Sequence, residues 1–404
     1  MSWIKGFSIV MVTLTIEFIL AVSLPTQWYL ETGYIVFFTF YQLLLVPSAL
    51  FLYLKKFETF SITCILLLFV NLFIPSNLLS TDFKTLPKNY TKRLIIRGDV
   101  MPNFEGINTI STDKKGFRSL NTIDYSNATT FRIFAIGGST TEEIFVDDKE
   151  TWTSLLEIGL NNSQDETIEV VNTGVSGLRA THHLATMLET EQYHPDAYIF
   201  LMGVNDWNKH ILDNYRSAIS IPSMNLVEAL VWKGLRVAKE FSNALILGEV
   251  SEVSEEYGDY YSRQNNSLEK DDVRVFKPTF IDPHYESVIN NIATRCNEKA
   301  YLCFFLSQPS AYSMQLTADL KKRLWMTPPN TDYTLDLASM ISIANLYNNE
   351  LRKIAAHNAI HFCNIADEIP PSIDYFYDDV HFNEKGSVKF ANELVACLRP
   401  ILNK

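Results

Sequence analysis

Four widely separated stretches of the chain carry residue types that can act together. They are "GGST" with Ser139, "NTGVSG" with Gly174 and Gly177, "GVND" with Asn205 and Asp206, and "YDDVHFNEKG" with Asp378 and His381. A serine hydroxyl is a poor nucleophile until a neighbouring base accepts its proton, and an imidazole such as His381 can do that near neutral pH. The three-residue offset lets Asp378 reach the far ring nitrogen, which fixes the tautomer and stabilises the imidazolium. Asp379 is the alternative partner, at a poorer spacing. Attack on a carbonyl also builds an oxyanion, which needs donors already in place. Glycine lets a backbone N–H come close where a side chain would block it, and Asn205 offers a side-chain NH2. Taken singly, each stretch has a plain structural reading, since glycines turn, serine and threonine cap helices, and asparagine favours turns. Together, in one order and at strand ends, they point to nucleophilic attack on an acyl group.

That placement depends on the elements between them. Apolar runs at 131–136, 168–172, 197–202, 301–306 and 361–365 read as strands. Helical periodicity falls near 152–160, 180–190, 285–297, 335–357 and 384–398, the last with Val388, Ala391, Leu394, Val395 and Leu398 on one stripe. Fully apolar strands alternating with helices predict a parallel sheet covered on both faces. Ligands of such sheets sit outside the carboxyl ends of the strands. Ser139 follows the first strand, the two glycines the second, Asn205 the third, and Asp378 with His381 the fifth. One rim therefore receives them all.

This constellation resembles the SGNH (GDSL-like) hydrolase superfamily, with the blocks in that order over about residues 131–398. The "GFR" turn at 116–118, "LSQP" at 306–309 and "YFYDDVHFNEKG" at 375–386 are similar to a bacterial, membrane-anchored subgroup. The resemblance implies a flavodoxin-like, three-layer α/β/α fold around a five-stranded parallel sheet. It implies Ser139 as nucleophile, His381 as base, Asp378 as the group that orients it, and an oxyanion hole of Gly177, Asn205 and the Ser139 amide. Gly138, Asp206 and Gln308 are candidate substrate contacts, and no cofactor is expected. Two features depart from the family pattern. Its Gly-Asp-Ser is Gly137-Gly138-Ser139 here, which removes a carboxylate but leaves the serine and its amide. An apolar N-terminal region and an insertion after the third strand also lie outside the common core.

The chain has 404 residues and a net charge of −12, with no long basic run in its C-terminal two-thirds. That composition argues against a nucleic-acid partner. Three apolar runs, 7–24, 34–53 and 59–79, approach the roughly 20 residues that cross a hydrocarbon core. Trp3, Trp28, Tyr29, Tyr34 and Tyr53 cluster at their ends, and Glu17 interrupts the first. Lys5, Lys55 and Lys56 on one side predict a cytoplasmic N-terminus and a catalytic domain outside the cytoplasmic membrane. Lys84, Lys88, Lys92, Arg93 and Arg97 pull the other way. The expected organisation is a membrane region at 1–79, a linker and cover segment at 80–127, and a catalytic domain at 128–404 with an insertion at about 209–282. That insertion holds an amphipathic stretch, 224–241, and an acidic, tyrosine-rich tract, read as a satellite helix and solvated loop or as a lid. Cys296, Cys303, Cys363 and Cys397 form two disulfides or four buried thiols. The eight histidines show no metal-ligand spacing, and His182–His183 reads as a helix surface pair. The expectation is a membrane-anchored serine esterase acting on an acyl ester of a glycan or lipid. An O-acyltransferase using the same site and an idle glycan-binding or assembly subunit are the alternatives.

Overall fold

The computed structural model describes residues 82–96, 101, 103–104, 106–162, 167–216, 271–324, 331 and 333–402. The three apolar runs, the 224–241 stretch and the acidic tract lie outside these residues. Among the described residues no helix is long and apolar enough to cross a membrane.

The cover segment is more ordered than its irregular sequence suggests. Strands β1 (Thr91–Ile95) and β2 (Ile107–Ser111) pair as an antiparallel ribbon. Alternation turns Leu94 and Ile110 inward, where they join a small cluster with Phe145, Val146 and Tyr377. Next in chain order come β3 (Phe131–Gly137), β4 (Ile168–Asn172), β5 (Ala197–Leu201), β6 (Asp272–Arg274), β7 (Leu302–Leu306), β8 (Tyr333–Leu335) and β9 (His361–Cys363). Five of these form one parallel sheet in the order β4-β3-β5-β7-β9, while β6 and β8 pair separately. Every residue of β5 is buried, as is all of β3 beyond Phe131. Such runs need cover on both faces.

The helices supply it. They are α1 (Ser139–Glu142), α2 (Trp152–Asn161), α3 (Ala180–Thr190), α4 (Val204–Arg216), α5 (Pro283–Lys299), α6 (Ala318–Lys321), α7 (Leu337–His357) and α8 (Glu384–Leu402). The crossover through α2 runs along the sheet in the opposite sense to those through α3, α5 and α7. Right-handed connections therefore put α2 on one face and the other three on the opposite face. Packing agrees, because α8 lies on α2 while α3 and α7 each lie on α5. The order reverses between β3 and β5, the strand pair whose carboxyl ends open a crevice in such sheets.

Some expected boundaries move for local reasons. The strand expected at 361–365 stops at Cys363, because Ile365–Glu368 turns into a 3-10 helix. The helix expected from 335 begins at Leu337, capped by Asp336, whose carboxylate accepts from the Ser339 N–H at 2.9 Å. The residues just before it form β8 instead. Helix α4 runs into the stretch taken as an insertion. His183 corrects the reading of a surface histidine pair: it is buried, on the face of α3 that packs against β3.

All four cysteines of this region are paired. Cys296–Cys303 staples the end of α5 to the start of β7, and Cys363–Cys397 joins the end of β9 to α8. The second bridge spans the segment that holds Asp378 and His381. Closing a loop removes entropy from the unfolded chain, and a 34-residue separation corresponds to about 3–4 kcal/mol. Replacing Cys363 and Cys397 together by serine should lower the free energy of urea unfolding by about that amount. A change below about 1 kcal/mol would contradict the stabilising role assigned to the bridge.

Candidate active site

The sheet delivers Ser139 through a tight strand-to-helix turn. Gly138 is the N-cap of α1 and Ser139 its first residue. The N–H groups of Thr141 and Glu142 donate to the Gly138 carbonyl at 3.0 and 2.9 Å, and Glu143 N–H donates to the Ser139 carbonyl at 2.9 Å. Buried polar groups then fix the turn from behind. The Trp152 indole N–H donates to the Thr140 carbonyl at 3.0 Å, and the Glu143 carboxylate accepts from the Trp152 N–H at 2.6 Å. The buried Arg118 guanidinium donates to the carbonyls of Glu142, of Glu143 at 3.0 Å and of Val146 at 2.8 Å, and pairs with Asp148 at 2.8 Å. The "GFR" turn is thus a clamp on the chain that leaves Ser139.

His381 reaches the same turn from the far end of the sheet. Its Nε2 lies 2.7 Å from Ser139 Oγ, and its Nδ1 lies 2.8 Å from Asp378 Oδ2. Asp378, 1% exposed, is held by its own turn: Oδ1 accepts from the N–H groups of Val380 and His381, both at 2.9 Å. An ionised carboxylate only accepts, so the ring proton belongs on Nδ1 and the Nε2 lone pair faces the serine hydroxyl. The Tyr377 ring stacks on the imidazole, with centroids 5.6 Å apart and planes 10° from parallel. Because Tyr377 packs in the cluster built by β1 and β2, the cover segment braces one face of His381. Burial by itself lowers the His381 pKa. The charge and hydrogen bond of Asp378, with Asp379 and Glu142 further out, outweigh it and raise the pKa above its ordinary value.

The remaining predicted residues divide by position. Asn205 Nδ2 donates to the Leu178 carbonyl at 2.8 Å and would lie 2.9 Å from a side chain built on Gly138. Asn205 thus packs its amide directly against the Ser139 turn, and among the described residues only one of its two side-chain N–H groups has an acceptor. Gly177 has φ of +79°, and a Cβ there would meet nothing within 4 Å. Its glycine serves a backbone angle, not the close approach the sequence suggested. The crowded glycine is Gly174, where a Cβ would fall 2.2 Å from the Glu142 nitrogen. Neither the Ser139 nor the Gly177 N–H is taken by a backbone bond among the described residues. Asp206 is spent on the start of α3. It is 7% exposed, accepts from the Ala180 N–H at the start of α3 at 3.2 Å, and is pushed up to about 7 by burial against the pull of that bond. Gln308 is buried behind α1, its Oε1 accepting from Thr140 Oγ1 at 3.2 Å and its Nε2 donating to the Pro309 carbonyl at 2.9 Å. Both are packed as supports and not as open substrate contacts. No group of three or more His, Cys, Asp or Glu among the described residues is arranged to hold a metal ion.

Comparison with known proteins gives the family. The sequence pattern of the GDSL-like Lipase/Acylhydrolase family matches residues 135–388, well over half the chain, from within β3 to within α8. The chain belongs to this GDSL-like family. It is accordingly a serine hydrolase acting on ester bonds. Similar solved structures include LAE5, an alpha/beta hydrolase enzyme from the metagenome of Lake Arreo, Spain, at 14% identity over 68% of this chain and 96% of that one, with a TM-score of 0.38. Axe2, an acetylxylan esterase from Geobacillus stearothermophilus, is similar at 14% identity over 68% and 96%, with a TM-score of 0.37. The psychrotrophic esterase EstA from Pseudoalteromonas sp. is similar at 12% identity over 68% and 99%, with a TM-score of 0.35. No curated protein matches.

In this GDSL-like chain the hydroxyl, imidazole and carboxylate form one hydrogen-bonded line, an arrangement able to move a proton away from an attacking oxygen. Sequence reasoning did not single out Arg118 for the turn it clamps, Tyr377 for the ring it supports, or Glu142 at the end of α1. The tandem acids of "STTEE" were visible, but burial of both was not.

Proposed function

We propose that this chain is a membrane-anchored serine esterase in which Ser139, His381 and Asp378 cleave an acyl ester through an acyl-enzyme. The single observation that carries the reading is the 2.7 Å contact between Ser139 Oγ and His381 Nε2, backed by Asp378 at 2.8 Å from Nδ1. Ser139 Oγ attacks the ester carbon while His381 takes its proton. The N–H groups of Ser139 and Gly177 and the Asn205 amide receive the oxyanion. His381 then protonates the leaving alkoxide. Water attacks the acyl-enzyme, gives its proton to His381 and releases the acid, restoring Ser139.

The substrate proposed is an O-acetyl ester of an envelope glycan, met outside the cytoplasmic membrane. Three apolar N-terminal runs support anchoring, and two paired disulfides fit an oxidising compartment. Aryl esters of increasing chain length test the acyl group. The highest kcat/KM is expected for acetate, with at least a tenfold fall by octanoate, roughly the discrimination a pocket of limited depth provides. Preference for octanoate would favour a lipid substrate instead. For location, alkylation of acid-quenched cells before and after reduction should find all four paired cysteines protected until reduced. Free thiols would place the domain in the cytoplasm.

A pH dependence follows from the same contacts. Only neutral His381 can accept the serine proton, so activity must fall as the pH drops through its pKa. Because its surroundings raise that pKa from the ordinary 6.5, the acid limb of kcat/KM should have its midpoint above 6.5. A profile still flat at about pH 5.5 would remove His381 as the base.

A further inference from the structure

We infer that Glu142 is a positioning residue for the oxyanion donors, tying the Ser139 turn to the loop that carries Gly177. This rests on the roles proposed above for Ser139 and Gly177. Glu142 closes α1, three residues after Ser139, and is 4% exposed. Its Oε2 accepts both from the Ser176 N–H at 2.5 Å and from Ser176 Oγ at 2.6 Å. Ser176 immediately precedes Gly177.

The tie is the outermost rung of a ladder between two segments, 137–142 and 172–177. Val175 N–H donates to the Gly137 carbonyl at 3.3 Å. Asn172 Nδ2 donates to the Thr141 carbonyl at 2.6 Å, and Asn172 Oδ1 accepts from the Gly174 N–H at 2.9 Å. Gly174 packs so closely on the Glu142 nitrogen that no side chain fits between them. On the far side of Gly177, Leu178 is held by its N–H to the Val175 carbonyl at 3.3 Å and by Asn205 on its carbonyl. Gly177 itself has open space where a side chain would stand and a backbone angle only glycine adopts freely. The direction of its N–H therefore depends on how Ser176 is held. Glu142 can hold it rigidly because its own backbone is pinned twice, by its N–H to Gly138 and by the Arg118 guanidinium on its carbonyl. A carboxyl group suits the position, as one oxygen serves two donors; burial raises its pKa, and the two Ser176 bonds pull against that rise.

The test uses the full chain and an aryl acetate, with active sites counted by fluorophosphonate titration. Glu142→Ala should lower kcat per titrated site about 100-fold, with KM changed less than about threefold, as expected when a donor to the transition state is misplaced. Inhibition by an aryl trifluoromethyl ketone, which forms a tetrahedral adduct, should weaken in parallel with kcat. Glu142→Gln keeps an acceptor oxygen and should stay within about tenfold of wild type. If Glu142→Ala does not fold, the double change Glu142→Gln with Ser176→Ala replaces it, and a loss of about tenfold or more in kcat is expected. Wild-type kcat per titrated site in a folded Glu142→Ala or double variant, with only thermal stability lowered, would overturn the inference. That result beside an inactive Ser139→Ala leaves the proposed function standing. An active Ser139→Ala would fell the proposed function itself.

Discussion

Replacing Ser139 by alanine should lower kcat on an aryl acetate by about 10⁶-fold while leaving the fold intact. The change deletes the attacking atom and little else. Ser139 is half-buried at the rim, its Oγ bonds to His381, and the turn around it is held by backbone bonds and by side chains of neighbouring residues. The thermal midpoint should therefore shift by no more than a degree or two, since a surface-facing truncation of one hydroxyl is worth about 0.5 kcal/mol or less. Steady-state kinetics at high enzyme concentration, beside a thermal scan, separate the two effects. A variant within tenfold of wild type would mean that another group attacks the ester.

The second large effect is expected at Asp378. Changing it to asparagine should cost about 10⁴-fold in kcat, through the tautomer of His381 and not through the position of its ring. The amide oxygen can still accept from the N–H groups of Val380 and His381, so the turn persists. The amide NH2, however, would donate to Nδ1, where the carboxylate accepted. The ring proton then moves to Nε2, the atom that must take the proton from Ser139. Loss of the carboxylate also removes the charge that raises the His381 pKa, so the remaining activity should extend to lower pH than in wild type. A loss of less than tenfold, or an acid limb displaced upward, would assign the orienting role to another group, with Asp379 the neighbour to examine.

Much of this arrangement is legible in the sequence because it is carried by local signals. The Asp-x-x-His spacing brings Asp378 to the His381 ring within a single turn, and the apolar runs of β3, β4 and β5 mark the strand ends where Ser139, Gly177 and Asn205 leave the sheet. What the sequence hides is the long-range support. Arg118 reaches from the cover segment to the carbonyls of Glu142, Glu143 and Val146, and Tyr377 leans on the ribbon formed by β1 and β2. Neither spacing nor periodicity signals contacts of that kind. The same limit explains Asp206, beside Asn205 in the chain, and Gln308, just past the end of β7, which turn their polar atoms inward, onto α3 and α1. The burial of His183 is hidden because two adjacent histidines on a helix carry no sign of which one faces the sheet. Glu142 and Glu143 were hidden by the opposite effect, since acids at the end of a short helix ordinarily face water, and here each is buried on a specific donor.

The central claim is that the Ser139 hydroxyl is activated by His381. Incubation of the purified chain with a fluorophosphonate, followed by peptide mass analysis, tests it most directly. The account predicts a single adduct on the peptide containing Ser139, formed at a rate that falls on acidification and absent from Ser139→Ala. An adduct on any other residue, or equal labelling of wild type and Ser139→Ala, would contradict it.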